Sequence, residues 1–293
     1  MATVSSTGSL AIFKLDPTAN AESPLQHLAT SRCEDLGEDV LFLQCAWHPT
    51  RSHVIGVTTS TSLARLLFLD ESWQIKDSVD LDIENSLEAW SIALSPLSPN
   101  PDGEGEAISI YSGGDDSILR YTSRSWNEED EIADSVYAPI TVRNKHEAGV
   151  TAILPLPLVR EDGGRVVLTG SYDDTLRVFL IEDLNRSYGA QKVRQVGDIN
   201  LGGGVWRLNL IHAREEGQAV TVRVLASCMH AGARIVDVYT SDGESWDFKV
   251  LARFEEHKSM NYAGDFMRLQ DGLRVVSTSF YDKLLCVWDY KGN

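Results

Sequence analysis

Residues 170–179 read GSYDDTLRVF, a tight-turn sequence running into a strand of alternating apolar and polar side chains. Two other segments repeat the plan, SGGDDSILRY at 112–121 and SFYDKLLCVWD at 279–289. In each, an aspartate stands six residues before an aromatic ring: Asp173 before Phe179, Asp115 before Tyr121, Asp282 before Trp288. The same frame admits three weaker copies, Thr7 before Phe13, Ser62 before Phe68 and His230 before Val236. The six anchors, at 7, 62, 115, 173, 230 and 282, are almost evenly spaced along the chain. Such regularity marks an array of one supersecondary unit.

Further strand-like runs precede each anchor after the first, for example 150–154 and 166–169, separated by a polar, Gly-containing turn at 160–164. Four short strands per repeat make a blade, so the reading is an all-β, WD-repeat β-propeller forming a single domain over 1–293. The repeats exceed the usual ~40–45 residues, which places insertions at 96–106, 127–144 and 185–200. Five complete blades are expected over about 38–72, 86–123, 146–183, 201–240 and 257–290, with a partial N-terminal blade over 1–20. Thr7 comes so early that this partial blade should hold only its last two strands. The turn aspartate is expected to accept hydrogen bonds within its turn and to reach a histidine at the start of the blade. His146 and His257 occupy that position for Asp173 and Asp282 and are read as structural.

Composition narrows the functional classes. Hydrophobic residues at 43% and charged ones at 24% suit a folded globular protein. A net charge of −17 repels polyphosphate and anionic headgroups, which argues against nucleic acid or membrane as partner. Cys33, Cys45, Cys228 and Cys286 form no CxxC pair, which fits reduced thiols in the cytoplasm better than a disulfide framework or zinc site. The N-terminal MATVSST lacks a signal-peptide pattern, and no apolar run approaches a membrane span.

Four segments go beyond a generic WD repeat: GGGVWRL at 202–208, ASCMHAGARI at 226–235, EEHKSMNYAGDF at 255–266 and STSFYDKLLCVW at 277–288. In this order and spacing they resemble the WD-repeat family of diphthine methyl ester hydrolases. Asn209, Leu210, Phe266 and Lys283 depart from the family pattern. The resemblance implies a seven-bladed propeller, of which this chain would be a form shortened at its N-terminus. It also implies hydrolysis of the methyl ester of diphthine on elongation factor 2, a late step of diphthamide biosynthesis before the final amidation, with no cofactor. Against it stands the reading that fold alone supports, a noncatalytic adaptor docking a basic protein segment.

The sequence holds no GxSxG nucleophile elbow, HExxH or other metal-ligand spacing. The general base expected for ester hydrolysis is His230, which stands in the turn slot of the aspartates while the histidine slot of its own blade is Leu201. Ser227 and Cys228 should point to opposite faces of a strand, so at most one could assist. The GGGVWRL turn, with Gly203 and Gly204, is expected to supply backbone donors to an oxyanion. Trp90, Trp206 and Tyr262 recur at the start of the expected innermost strand, ahead of the anchors at 115, 230 and 282. They are expected to bind the substrate's trimethylammonium group through their ring faces.

Overall fold

The computed structural model describes all residues except 17, 19–22, 102–104, 127–134, 136 and 293. They form six antiparallel sheets, divided between two compact units, Met1–Thr141 and Val142–Asn293. The first unit opens with β1 (Ala2–Val4), β2 (Ser9–Leu15) and β3 (Leu25–Arg32) as a three-stranded meander. A four-stranded sheet follows: β4 (Phe42–Trp47), β5 (Val54–Thr59), β6 (Ala64–Leu69) and β7 (Ile75–Leu81). In the third sheet β8 (Ser91–Leu94), β10 (Glu106–Gly113), β11 (Leu119–Trp126) and β12 (Ile140–Val142) run in order, with β9 (Ser98–Pro99) also paired to β10.

The second unit holds two four-stranded meanders. One is β13 (Val150–Val159), β14 (Gly164–Ser171), β15 (Thr175–Glu182) and β16 (Val193–Asn200). The other is β17 (Arg207–Glu216), β18 (Ala219–Ser227), β19 (Ala233–Thr240) and β20 (Asp247–Phe254). A final three-stranded sheet comprises β21 (Asn261–Leu269), β22 (Gly272–Ser279) and β23 (Leu284–Lys291). The helix α1 (Leu184–Ser187) has four residues, so the described chain is all-β and its sheets are of the propeller-blade type.

The expected blade count needs correction. The N-terminal blade is a sheet of three strands reaching Arg32, not two strands ending near residue 20, and residues 17, 19 and 20 of the expected span lie outside the described residues. The blade expected complete over 257–290 has three strands. Two of the expected insertions contain fourth strands, β12 within 127–144 and β16 within 185–200, although most of 127–136 lies outside the described residues. The strands β7 and β20 likewise lie beyond the expected blade ends at 72 and 240. These outermost strands are half-exposed and mix polar with apolar side chains, as in VRQVGDIN of β16, so no apolar pattern announces them.

Interior strands bury both faces, the condition for stacking sheet on sheet. In β18 the side chains of Val220, Val222, Val224 and Ala226 join a core with Leu168 and Val178 of the preceding sheet. Leu225, from the opposite face, packs with Leu273 and Val275 of the following one. Each valine or leucine among them contributes roughly 1.5–3 kcal/mol by leaving water, and the period-2 geometry distributes them to both neighbours.

The turns are held as the repeat predicts, but through different partners. The carboxylate of Asp173 accepts the backbone N–H of Glu147 at 2.8 Å and that of Thr175 at 3.1 Å, and takes a bidentate pair of bonds from Arg177 at 2.9 and 2.7 Å. His146 instead pairs with Thr169 at 2.9 Å. Asp282 repeats the pattern, accepting from the Ser279 hydroxyl and from Lys258 N–H at 2.9 Å, while His257 pairs with Ser277 at 2.8 Å. The aspartate thus grips the residue after the histidine rather than the imidazole itself. In the third sheet the working residue is Asp116, not Asp115: it accepts from Ser86 N–H and hydroxyl and from Ile118 N–H, and forms an ion pair with Arg120.

Candidate functional site

The site builds up from two turns of the second unit. After β16 the chain runs through Gly202, Gly203 and Gly204 into β17; Gly202 has φ +85°, a conformation L side chains rarely adopt. A Cβ on Gly203 would come within 2.3 Å of the Cys228 carbonyl oxygen, and one on Gly204 within 2.5 Å of the Met229 sulfur. Glycine is therefore required where this loop lies against the β18–β19 turn. That turn is closed by Cys228 N–H to Gly232 O at 2.7 Å and Ala231 N–H to Cys228 O at 2.8 Å. His230 sits at its tip.

His230 is exposed, and among the described residues its ring has no hydrogen-bond partner. The reason lies in the repeat. In two other blades the turn aspartate pairs with a buried arginine four residues on, Asp116 with Arg120 and Asp173 with Arg177. In the blade of His230 that arginine, Arg234, is held by Glu255 at 2.7 Å. The histidine slot is filled by Leu201, buried in the core. The turn position is thereby relieved of its structural task.

The loop's amides divide into two sets. Gly202 N–H is bound to Asn200 at 2.8 Å, Val205 N–H to Ser171 O at 2.9 Å and Trp206 N–H to Ser227 O at 2.8 Å. The N–H groups of Gly203 and Gly204 have no partner among the described residues, although both glycines are buried. Buried amides are otherwise nearly always paired, and two adjacent free ones can serve an oxyanion.

Neither neighbouring nucleophile is available. Cys228 is wholly buried, and that burial pushes its thiol up to about 12, so it stays protonated. The Ser227 hydroxyl is buried and unpartnered, with no surface open to solvent.

Aromatic rings extend the site. Tyr172 and Trp206 have ring centroids 5.4 Å apart, Trp206 and Tyr262 4.9 Å, Tyr262 and Phe280 6.1 Å, and Phe280 and Tyr281 5.1 Å. The structure therefore brings together Gly203, Gly204, Trp206, Tyr262 and the turn of His230. Trp90 belongs to the first unit, half-buried one residue before β8. Sequence reading missed Tyr172, Phe280 and Tyr281, which lie in the very turns that defined the repeat; YD in two of the three strong copies was the available signal. Among the described residues no group of three or more His, Cys, Asp or Glu side chains could hold a metal ion. No helix there is long and apolar enough to cross a membrane.

The fold is that of a WD-type propeller protein, with the candidate site built on its strand-connecting turns. No family model matches the chain. It is 32% identical over 207 residues to a Schizosaccharomyces pombe protein named diphthine methyltransferase, covering 70% of this chain and 52% of that one. It is 25% identical over 285 residues to the Mus musculus protein of the same name, covering 94% and 52%. The family resemblance drawn from the four motifs therefore holds, and the chain spans about half the length of the curated relatives it matches. Their name is that of a methyltransferase, whereas the motifs led to an ester hydrolase; common to both is an enzyme acting on diphthine.

Proposed function

We propose that this chain acts in diphthamide biosynthesis by hydrolysing the methyl ester of diphthine on elongation factor 2, a cytoplasmic step preceding the final amidation. The observation that carries the reading is His230, exposed and unpartnered on a turn packed against two glycines whose amides are free. With Cys228 protonated and Ser227 enclosed, water is the nucleophile. The His230 imidazole takes its proton as the oxygen attacks the ester carbonyl. Gly203 and Gly204 N–H groups receive the developing oxyanion. Collapse of the tetrahedral intermediate expels methanol, which regains the proton from the imidazolium and leaves diphthine carboxylate. The aromatic run that begins at Trp206 and continues through Tyr262 supplies the surface for the substrate's quaternary ammonium.

The test is incubation of the purified chain with methyl-esterified diphthine on elongation factor 2, following both methanol and the mass of the modified histidine. Loss of the ester methyl with stoichiometric methanol supports hydrolysis. A gain of methyl groups in the presence of a methyl donor overturns it in favour of methyl transfer, and binding without mass change in favour of the adaptor. Trp90→Leu belongs in the same assay, since a part for Trp90 in cation binding requires weaker binding of the charged substrate.

A further inference from the structure

The five rings of the aromatic run are not equivalent. Trp206 is half-buried and contacted on several sides: Tyr172 and Tyr262 touch it from within the run, and the guanidinium of Arg207 lies over its ring, 5.4 Å from the centroid. Arg207 is fixed there by bonds to the carbonyl oxygens of Thr151 at 3.2 Å and Trp206 at 3.0 Å. The indole thus already carries a cation of the protein's own. At the other end Phe280 and Tyr281 are 65% and 71% exposed, although large aromatic side chains are usually well buried.

These two rings stand at the β22–β23 turn, which holds them from behind. Phe280 N–H bonds to Met260 O at 3.1 Å and Tyr281 N–H to the Ser259 hydroxyl at 3.1 Å. Their planes are perpendicular, at 90°, and Tyr262 is inclined at 59° to Phe280. In this edge-to-face pair one ring covers a face of the other, and the exposure of both rings leaves other faces to solvent, where a methylated ammonium group can be received. Burial and the neighbouring Tyr281 push the Tyr262 phenol up, so it is neutral near pH 7. Asp282 follows directly, its carboxyl held below the usual range by the Ser279 hydroxyl, and adds negative potential beside the rings.

We propose that a quaternary ammonium group is bound at the outer end of the run, on the faces of Tyr262, Phe280 and Tyr281, with Trp206 acting as their support. The identity of the cation rests on the functional reading above; the site itself rests on ring geometry and exposure. A trimethylammonium has no N–H to donate, so ring faces and nearby negative charge recognise it without a hydrogen-bonding partner.

The experiment uses the full chain and two ester-free probes, a short peptide carrying trimethyl-lysine and the same peptide with the quaternary nitrogen replaced by carbon. The parent is expected to bind the charged probe roughly 2- to 30-fold more tightly than the neutral one. In the double variant Phe280→Leu/Tyr281→Leu, which keeps apolar area but removes the π faces, that ratio is expected to fall towards one. Both positions are exposed, and a melting temperature near the parent's verifies the fold. Equal binding of the two probes by the parent overturns the proposal, as does an unchanged ratio in the double variant. Because the probes carry no ester, discrimination without methanol release sinks the hydrolytic reading alone. Methanol release with an unchanged ratio sinks the cation site alone.

Discussion

At the scale of single residues, function and structure are separated by what each histidine touches. His230 has no partner among the described residues, so His230→Asn is expected to melt like the parent and bind substrate equally, while hydrolysis falls by roughly 10²–10⁴. Full turnover in the folded variant would remove it from the mechanism. His146 behaves in the opposite way, because burial, reinforced by Arg177, brings it down to about 4. Between its unfolded value near 6.5 and about 4, the unfolded chain binds the extra proton and the folded chain does not. The stabilisation is complete above that window and lost as pH falls through it, amounting to about 3 kcal/mol at most. Melting temperatures measured from pH 7 to pH 4.5 should therefore drop, and the drop should be shallower in His146→Asn.

At the scale of elements, a buried arginine recurs near the start of the third strand of four sheets and is held there by carboxylates. Arg65, Arg120, Arg177 and Arg234 are all buried and recur at nearly equal intervals, a more regular mark of the repeat than the anchors first chosen. Removing one partner leaves a charge in the interior, so Asp173→Ala is expected to cost about 3–5 kcal/mol in denaturant unfolding. Adding Arg177→Met should recover part of that loss; no recovery would mean that the turn's backbone bonds to Asp173 carry the effect. The contact between the two turns of the site is equally specific. In Gly203→Ala the new methyl meets a backbone oxygen at 2.3 Å, so the turn bearing His230 must shift. A loss of turnover of at least tenfold, about 1.4 kcal/mol in the barrier, is expected with a measurable fall in melting temperature, and a neutral result would show the loop to be compliant.

At the scale of the whole molecule, six sheets and a single four-residue helix among the described residues predict a far-ultraviolet circular dichroism spectrum with a strand minimum. A helical double minimum would refute the architecture. The charge of −17 belongs to this scale as well, since it acts over a Debye length rather than through contacts. For the proposed reaction, such a charge favours approach of a cationic substrate, with the rings proposed to seat it.

The sequence by itself determined the class of fold, because a turn and an alternating strand recurring at near-constant spacing can bury both sheet faces only by stacking like units. It also drew attention to His230 as a departure from the repeat, to Trp206 and Tyr262 as rings recurring within it, and to Gly203 and Gly204 through their motif. It misplaced the outer strands, whose half-exposed faces carry no periodic signal, and it chose Asp115 over Asp116 by the six-residue spacing to Tyr121, whereas the closed turn pairs the aspartate four residues before the arginine. Only the tertiary structure decided that His230 is free, with Arg234 held by Glu255, and which amides of the glycine loop remain unpaired. It likewise decided which ring faces are open, by laying Arg207 over Trp206 and leaving Phe280 and Tyr281 in solvent. Availability of a group is a property of everything packed around it, and residues distant in sequence supply that packing.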